Sequence, residues 1–207
     1  MSADVAYIIL NFMIKYTDIF SILSGVAGHT CLFIMTIRTV ITYPNAKLRI
    51  KSTPVEVFDQ KLEELVSDMF ETMYQAEGIG LAAPQIDIHK QIIVIDLKDE
   101  NNQRYVVINP EFVLMEGSDS IEEGCLSVPL EYRAKVERSA HVVVKCQNEK
   151  GETYQIDATG LLAICLQHEI DHLQGKLFID HISNLKRSLY ESKLKKALRY
   201  EKKANKQ

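Results

Sequence analysis

Apolar side chains recur every three or four positions from Phe58 to Ala76, a spacing that places them on one face of an α-helix. That face consists of Phe58, Leu62, Leu65, Val66, Met69, Phe70 and Met73. Gly78 follows shortly after and is a residue type that commonly ends helices. The pattern therefore predicts an amphipathic helix that packs its apolar face on a core.

A different pattern follows this helix, because apolar residues then occur in short runs rich in Val and Ile, separated by turn-forming residues. The predicted strands are Gln91–Leu97, Arg104–Asn109, Phe112–Met115, His141–Gln147 and Thr153–Asp157. A second helix is predicted over Leu161–Leu173, with Thr159 placed to cap its start and Gly175 its end. The strands outnumber the helices and do not alternate with them. The sequence thus predicts an α+β fold with mostly antiparallel sheets around a buried helix.

The composition is that of a globular protein, because 46% of the 207 residues are apolar and 25% are charged. These values exclude a disordered or fibrous chain, and the length suits one domain with appendages. The four cysteines are scattered, which favours a reducing compartment, here the cytoplasm, over a disulfide framework. We expect an atypical extension at residues 1–34, a compact domain at residues 35–181 and a basic helix at residues 182–207.

The first 34 residues differ from the rest in being nearly uncharged. Their charged residues are Asp4, Lys15 and Asp18. The nineteen residues between Asp18 and Arg38 lack Lys, Arg, Asp and Glu, but Ser, Gly, His and Thr dilute their hydropathy. A secretory signal needs a basic start and a clean apolar run, for which Asp4 and Asp18 are poorly placed, and a transit peptide would be rich in Arg, which does not occur before Arg38. Two interpretations of this segment have similar weight: translation truly starts at Met35, or the segment is a poorly packed appendage. A membrane anchor is a third and minor interpretation, so we expect no membrane contact.

The charge of the chain is distributed unevenly. Residues 182–207 contain nine Lys or Arg and two Glu, a net charge of +7 within a chain whose total is −4. The preceding residues therefore carry −11 and form an acidic body. Leu185, Leu189, Leu194 and Leu198 give the predicted terminal helix a narrow apolar seam. Two interpretations stay open, a solvated terminal helix and a contact surface for a polyanion.

The stretch Gln167–His172 carries the pattern His-Glu-x-x-His on the second predicted helix. Residues four apart lie on the same helix face, so the side chains of His168 and His172 can converge on one metal ion. Glu169 can then reach a water molecule bound to that ion and act as a general base. The alternative is a helix with two hydrogen-bonded histidines and a solvated glutamate, which the strongly apolar residues before the motif make less favourable.

A catalytic metal ion usually has three protein ligands and one open position, so a third ligand is needed. His181 is the only histidine after the motif, and it lies beyond the predicted helix end at Gly175. Cys125, in the turn-like stretch Glu122–Pro129, could complete a Cys–His–His site, although an isolated cysteine is more often a small buried residue. A third stretch, Gly78–Gln85, has two glycines that let the backbone approach a ligand and lacks the features of a phosphate-binding loop.

Taken together, the chain resembles the peptide deformylase family in three stretches. They are Gly-Ile-Gly-Leu-Ala-Ala-Pro-Gln at residues 78–85, Glu-Gly-Cys-Leu-Ser at residues 123–127 and Gln-His-Glu-Ile-Asp-His-Leu at residues 167–173. The resemblance extends from about Met35 to about Ile182 and implies a bacterial-type catalytic domain. It implies a hydrolase that removes the N-formyl group from the formylmethionine of nascent polypeptides and releases formate. The implied metal is Fe²⁺, with Zn²⁺, Ni²⁺ or Co²⁺ as substitutes.

The resemblance also implies roles for individual residues. The implied metal ligands are Cys125, His168 and His172. The implied catalytic groups are Glu169 as acid and base, with Gln85 and the backbone N–H of Leu126 at the oxyanion. The implied substrate-binding residues are Ile79, Gly80, Ile121, Gly124, Leu161, Ile164 and Cys165. Tyr132 and Arg133 lie where the motifs align less clearly and receive no role, and the basic helix is expected to contact the ribosome, as in bacterial members.

Two other functions would use the same residues. A zinc endopeptidase would also carry His-Glu-x-x-His, but it needs a further ligand downstream, and the complete motif around Cys125 argues against it. A non-catalytic ribosome-binding module with a structural metal would need four protein ligands, whereas the sequence offers three. That second alternative would also leave Glu169 without a role.

Overall fold

The computed structural model describes residues 36–99 and 103–204, which contain three α-helices. They are α1 (Gln60–Gln75), α2 (Gly160–Leu173) and α3 (Asn184–Ala204). Short 3₁₀ helices occupy Ala46–Arg49, Ala83–Ile86 and Phe178–Asp180. Each α-helix coincides with a stretch that the sequence predicts to be helical. The expectations for residues 1–34 and for a start at Met35 lie outside the described residues.

The strands form two sheets. The main sheet consists of β1 (Gly80–Ala82), β2 (Ile92–Asp96), β3 (Arg104–Glu116), β6 (His141–Gln147) and β7 (Thr153–Thr159), in that spatial order. All neighbouring strands in it are antiparallel. The second sheet is the antiparallel pair of β4 (Asp119–Glu123) and β5 (Ala134–Arg138). This architecture confirms the α+β fold with mostly antiparallel sheets around a buried helix.

Two features of the strands differ from the sequence-based prediction. β3 joins two predicted strands into one, because the chain continues through a register shift between Ile108 and Glu111 where Asn109 has a positive φ of 51°. The sequence predicts none of β1, β4 and β5, since β1 has only three residues and begins at a glycine, and charged residues interrupt the apolar pattern of β4 and β5. In β5 the buried positions are Ala134, Val136 and Arg138, so a charged residue completes the inward-facing row.

The main sheet carries one helix on each face. α2 packs on the face that presents Ile93 and Ile95 of β2, and ten of the 14 residues of α2 are buried. α1 packs on the opposite face, which presents Ile92 and Val94 of the same strand. Because successive side chains of a strand point to opposite faces, β2 contributes to both cores. α2 is therefore the buried helix that the fold prediction requires.

The basic helix α3 is attached to the domain through a small apolar contact. Its residues Tyr190 and Leu194 pack with Val136 and Phe178, whereas Leu185 and Leu189 are exposed. The packed face therefore runs through Tyr190 and Leu194, and only part of the predicted leucine seam is buried. No helix in residues 36–99 and 103–204 is long and apolar enough to cross a membrane.

The attachment of α3 can be tested by truncating one packed and one exposed leucine of the same helix. Leu194 is 3% exposed and Leu189 is 63% exposed. We expect Leu194→Ala to lower the free energy of unfolding by about 2–5 kcal/mol, because it leaves a cavity. Leu189→Ala should change it by less than ~0.5 kcal/mol. Urea denaturation of both variants checks this expectation, and equal effects would contradict the packing described here.

Candidate metal centre

Helix α2 places two histidines in the interior of the protein. His168 and His172 are both buried, and their ring centroids lie 5.1 Å apart. Burial lowers the pKa of His172 well below its usual value, and the nearby charge of His168 acts in the same direction. A neutral imidazole has a lone pair available for a metal ion. Burial would lower the pKa of His168 as well, but its hydrogen bonds to Cys125 and Glu123 raise it above its usual value. His172 thus has the protonation tendency of a metal ligand, and the spacing of the two rings suits a shared ion.

Cys125 approaches these histidines from the second sheet, just beyond the end of β4. Its Sγ lies 3.2 Å from Nε2 of His172, and the ligand atoms of Cys125, His168 and His172 all lie within 4.8 Å of one another. A tetrahedral ion with ordinary bond lengths would separate its sulfur and nitrogen ligands by ~3.6 Å. The three donor atoms therefore fit one ion. Elsewhere in the described ranges, no other group of His, Cys, Asp or Glu converges in this way.

Glu169 is a buried carboxylate beside these donor atoms. Its Oε2 has no hydrogen-bond partner in the described part of the chain. Burial raises the pKa of Glu169 to about 7, although the charge of His168 acts in the opposite direction. A carboxylate with such a pKa can both accept and return a proton near neutral pH. An unpartnered buried oxygen beside three converging donors fits a site that a metal ion and its water complete.

Strand β1 passes directly against Glu169 because Gly80 has no side chain. A Cβ atom at Gly80 would lie 2.5 Å from Oε1 of Glu169 and 2.9 Å from Sγ of Cys165. Both distances are shorter than a non-bonded contact, so a larger residue would displace the carboxylate or the strand. The stretch Gly78–Gln85 and the His-Glu-x-x-His motif therefore meet at this point.

Gln85 is held in one orientation near Cys125. Its Oε1 accepts a hydrogen bond from the backbone N–H of Ala82 at 2.8 Å, and its Nε2 donates to Oγ of Ser127 at 3.2 Å. The same Nε2 lies 3.7 Å from Sγ of Cys125. The amide N–H groups thus point toward the proposed ligands, which is the direction that an oxyanion site requires. Leu126 follows Cys125 directly, and its side chain packs on the core beneath α1.

The residues predicted to bind substrate lie on three elements. Ile79 and Gly80 are at the start of β1, Leu161, Ile164 and Cys165 are on α2, and Ile121 and Gly124 are in or directly after β4. The structure brings Gly80 and Cys165 together beside Glu169, and Ile79 packs in the same core cluster as Cys165. Leu161 is exposed, while Ile164 and Cys165 are buried. Contact of these side chains with substrate stays a prediction.

The structure adds a chain of charged residues to which the sequence assigns no role. Nδ1 of His168 lies 2.7 Å from Oε2 of Glu123, and Nε of Arg138 donates to Oε1 of Glu123 at 2.7 Å. Burial by itself would raise the pKa of Glu123, but the hydrogen bonds from His168 and Arg138 lower it below its usual value. Arg138 also donates to Asp171. His181, the alternative third ligand, lies outside the donor group and instead contacts Asp171 at 2.7 Å.

The sequence contains a signal for only one of these residues. Glu123 begins the motif that contains Cys125, and a carboxylate beside a metal ligand commonly orients another ligand. Arg138 and Asp171 have no local pattern that would mark them. They become neighbours of the site because β5 pairs with β4 and α2 packs nearby.

A stack of aromatic rings links α3 to the same histidine. Tyr132, which receives no role from the sequence, lies between Tyr190 of α3 and Phe178, with ring centroids 4.5 Å and 6.1 Å away. Phe178 in turn stacks on His168 at 6.1 Å. Tyr132 thus packs against the core of the domain. Arg133 lies beside Gly124, where a Cβ atom would be 3.6 Å from its side chain.

A buried helix that presents two histidines and a glutamate, with a cysteine from the neighbouring strand, defines a metal-dependent hydrolase. A family model described as polypeptide deformylase matches residues 37–188, and the chain belongs to this family. A peptide deformylase of Hahella chejuensis is 48% identical over 158 residues, which cover 76% of this chain and 94% of that protein.

Crystal structures of peptide deformylases have the same fold as this chain. The structure from Legionella pneumophila has a TM-score of 0.75 and 46% identity, and it covers 80% of this chain and 98% of its own. The structure from Ehrlichia chaffeensis in complex with actinonin has a TM-score of 0.74 and 39% identity, and it covers 79% of this chain and 98% of its own. The chain is therefore a hydrolase of the family that removes the N-formyl group from nascent polypeptides.

The assignment of Cys125 as a ligand can be tested against a cysteine that lies elsewhere in the core. Cys146 lies on β6 in the main core and outside the donor group. We expect Cys125→Ala to weaken the binding of Co²⁺ by more than the ~10–100-fold that loss of an outer partner costs. Cys146→Ala should bind Co²⁺ like the unaltered protein. Titration with Co²⁺, followed by the thiolate absorption band, measures both, and a normal band in Cys125→Ala would refute the assignment.

Proposed function

We propose that Cys125, His168 and His172 hold one divalent ion and that Glu169 moves the proton during hydrolysis of the formyl amide. The observation that carries this proposal is the convergence of the three donor atoms beside a buried carboxylate with an unpartnered oxygen. When bound, such an ion acts as a Lewis acid and lowers the pKa of a bound water toward 7. The alternatives weighed from the sequence are less suited, because His181 is held by Asp171 and three protein donors leave one position open.

The reaction requires one proton to move twice. Water adds to the formyl carbon while Glu169 accepts the proton that the water loses. The bond between the formyl carbon and the nitrogen then breaks, and Glu169 returns the proton to the departing amine. The products are formate and a peptide with a free amino terminus. The pKa of about 7 suits Glu169 to both steps, because neither protonation state is strongly favoured near neutral pH.

We expect two donors of this chain to face the position where negative charge develops on the formyl oxygen. The amide of Gln85 is held by Ala82 and Ser127, so it needs no reorganisation during the reaction. The backbone N–H of Leu126, adjacent to Cys125, would be the second donor. Loss of one such donor costs about 3–4 kcal/mol of transition-state stabilisation in other enzymes. We propose that these two groups form the oxyanion site.

The methionine side chain of the substrate would lie against the wall formed by β1 and α2. We expect Ile79, Gly80, Leu161, Ile164 and Cys165 to form this wall, and the missing side chain of Gly80 lets β1 pass close to Glu169. Ile121 and Gly124 would border the peptide from β4. An unbranched thioether fits such an irregular apolar wall well.

We propose Fe²⁺ as the resident ion, as the family resemblance implies. One thiolate and two imidazoles also suit Zn²⁺, Ni²⁺ and Co²⁺, and a site of this type takes up divalent ions according to their affinity and availability. The purified protein is therefore expected to contain whichever of these ions the preparation supplies. The polar donors and the open position are the same for each of them.

We further propose that the catalytic domain at residues 35–181 acts in the cytoplasm on nascent chains that emerge from the ribosome. The cations of α3 favour contact with ribosomal RNA, because Lys193, Lys195 and Lys196 are all exposed on this helix. The apolar contact of α3 with the domain uses its other side, at Tyr190 and Leu194. The charged side is thus available to a polyanion.

The role of Glu169 predicts a separation of metal binding from turnover. We expect Glu169→Ala to retain the metal ion, since Glu169 is not a ligand, and to release formate about 10²–10⁴-fold more slowly. Metal analysis and a formate-release assay with a formylmethionyl peptide, carried out anaerobically on the same sample, test this. Near-normal formate release would reject the acid–base role.

The ribosome contact can be tested by reversing charge without removing the helix. Lys193, Lys195 and Lys196 are replaced by Glu in one variant, and the exposed Lys51, Lys61 and Lys150 of the domain are replaced by Glu in a control of equal net charge. We expect the first variant to lose at least about tenfold in affinity for ribosomes in a pelleting assay at low salt. The control should bind nearly as the unaltered protein does. Equal losses would show that net charge, and not α3, carries the contact.

A further inference from the structure

Arg138 is the most highly connected charged residue near the proposed ligands. Its side chain is 5% exposed, and its guanidinium contacts two carboxylates. Nε and Nη2 donate to the two oxygens of Glu123 at 2.7 Å and 3.1 Å, which is a bidentate fork. Nη1 donates to Oδ2 of Asp171 at 2.6 Å. All three nitrogens of this buried cation are therefore engaged.

Each of the two carboxylates is coupled to a different ligand. Glu123 receives the fork from Arg138 and also accepts from Nδ1 of His168, so the position of its carboxylate fixes the ring of that histidine. Asp171 directly precedes His172 on α2, so its contact with Arg138 fixes the helical turn that carries the second histidine. One guanidinium thus connects the end of β5, the end of β4 and the metal-binding turn of α2.

His181 completes the network at its outer end. Its Nε2 lies 2.7 Å from Oδ2 of Asp171, the same oxygen that accepts from Arg138. The side chain of His181 is accessible to solvent, whereas Arg138 and Glu123 are buried. The network therefore runs from the protein surface to the ring of His168 without a gap.

The charges of this network complement those of the proposed ion. The carboxylates of Glu123 and Asp171 both pair with the single guanidinium of Arg138, so these three side chains have a formal net charge of −1. A divalent ion with one thiolate has a net charge of +1. Buried charges are stable where an opposite charge compensates them, so the two groups stabilise each other.

We propose that Arg138 is the positioning residue of the metal centre and that it slows release of the ion by fixing the orientation of His168 and the turn that carries His172. This inference rests on the proposed ligand set. It goes further because the sequence assigns Arg138 no role and because it explains why a buried arginine ends β5. Arg138 acts through Glu123 and Asp171, and it does not touch the ion or the substrate.

The test compares the release of Co²⁺ from full-length Arg138→Lys and from matched controls. Lysine keeps the charge but cannot form the fork with Glu123. Arg38→Lys likewise keeps the charge but removes the paired guanidinium hydrogen bonds of Arg38 to Asp68 on α1, and Val66→Ala lowers stability from within the core of α1. We expect Arg138→Lys to release Co²⁺ to a chelator about 10–100-fold faster and to shift its ligand-field bands. Both controls should keep the rate and the bands of the unaltered protein.

Equal release from Arg138→Lys and from the two controls would overturn the inference. If Arg138→Lys does not fold, His181→Ala decides, since it removes the outer contact of Asp171 at an accessible position. We expect His181→Ala to release Co²⁺ about 2–10-fold faster, and an unchanged rate would count against the network. Failure of the ligand assignment is distinguishable, because the unaltered protein would then lack the Cys125-dependent thiolate band altogether.

Discussion

The helix that carries the proposed histidine ligands is surrounded by other elements, and each polar side chain on it must therefore find a partner inside the protein. Gln167 bonds to the backbone of Ser139 and Ala163, His168 bonds to Glu123, and Asp171 bonds to Arg138. Glu169 and His172 are the exceptions, because Nδ1 of His172 and one carboxylate oxygen of Glu169 have no hydrogen-bond partner in the described residues. The same burial that makes the other groups rigid leaves this carboxylate with a raised pKa and a free acceptor.

Long periodic segments of the fold were predictable, whereas short mixed strands were not. The apolar stripe of α1 and the valine-rich run of β6 follow from local patterns, because each buries a regular set of side chains. β4 has one apolar residue among polar and charged ones, β5 alternates apolar and charged residues up to Arg138, and the pairing of the two strands is fixed only by the fold. Arg138 shows the limit most clearly, since a buried arginine in a strand makes sense only when both of its carboxylate partners are known.

The residues of the candidate site likewise fall into those that the sequence predicts and those that it does not. The three converging donors were predictable from the sequence because His168 and His172 lie one helical turn apart and Cys125 lies in a motif of its own. Their outer partners come from separate elements, and Arg138 meets Asp171 across 33 positions of sequence. Local spacing therefore specifies which atoms can bind an ion, while the tertiary fold specifies how rigidly those atoms are held in position.

The ring stack from Tyr190 through Tyr132 and Phe178 to His168 has a consequence for the design of shortened variants. Cutting the chain before α3 removes Tyr190 and uncovers Tyr132, so the far end of the stack would lose its support next to a metal ligand. A truncated protein would then combine two defects that an assay could not separate, the loss of the proposed ribosome contact and a less rigidly held ring of His168. Mutagenesis confined to the solvent-facing cations of α3 leaves every ring in place and keeps recruitment and chemistry separable.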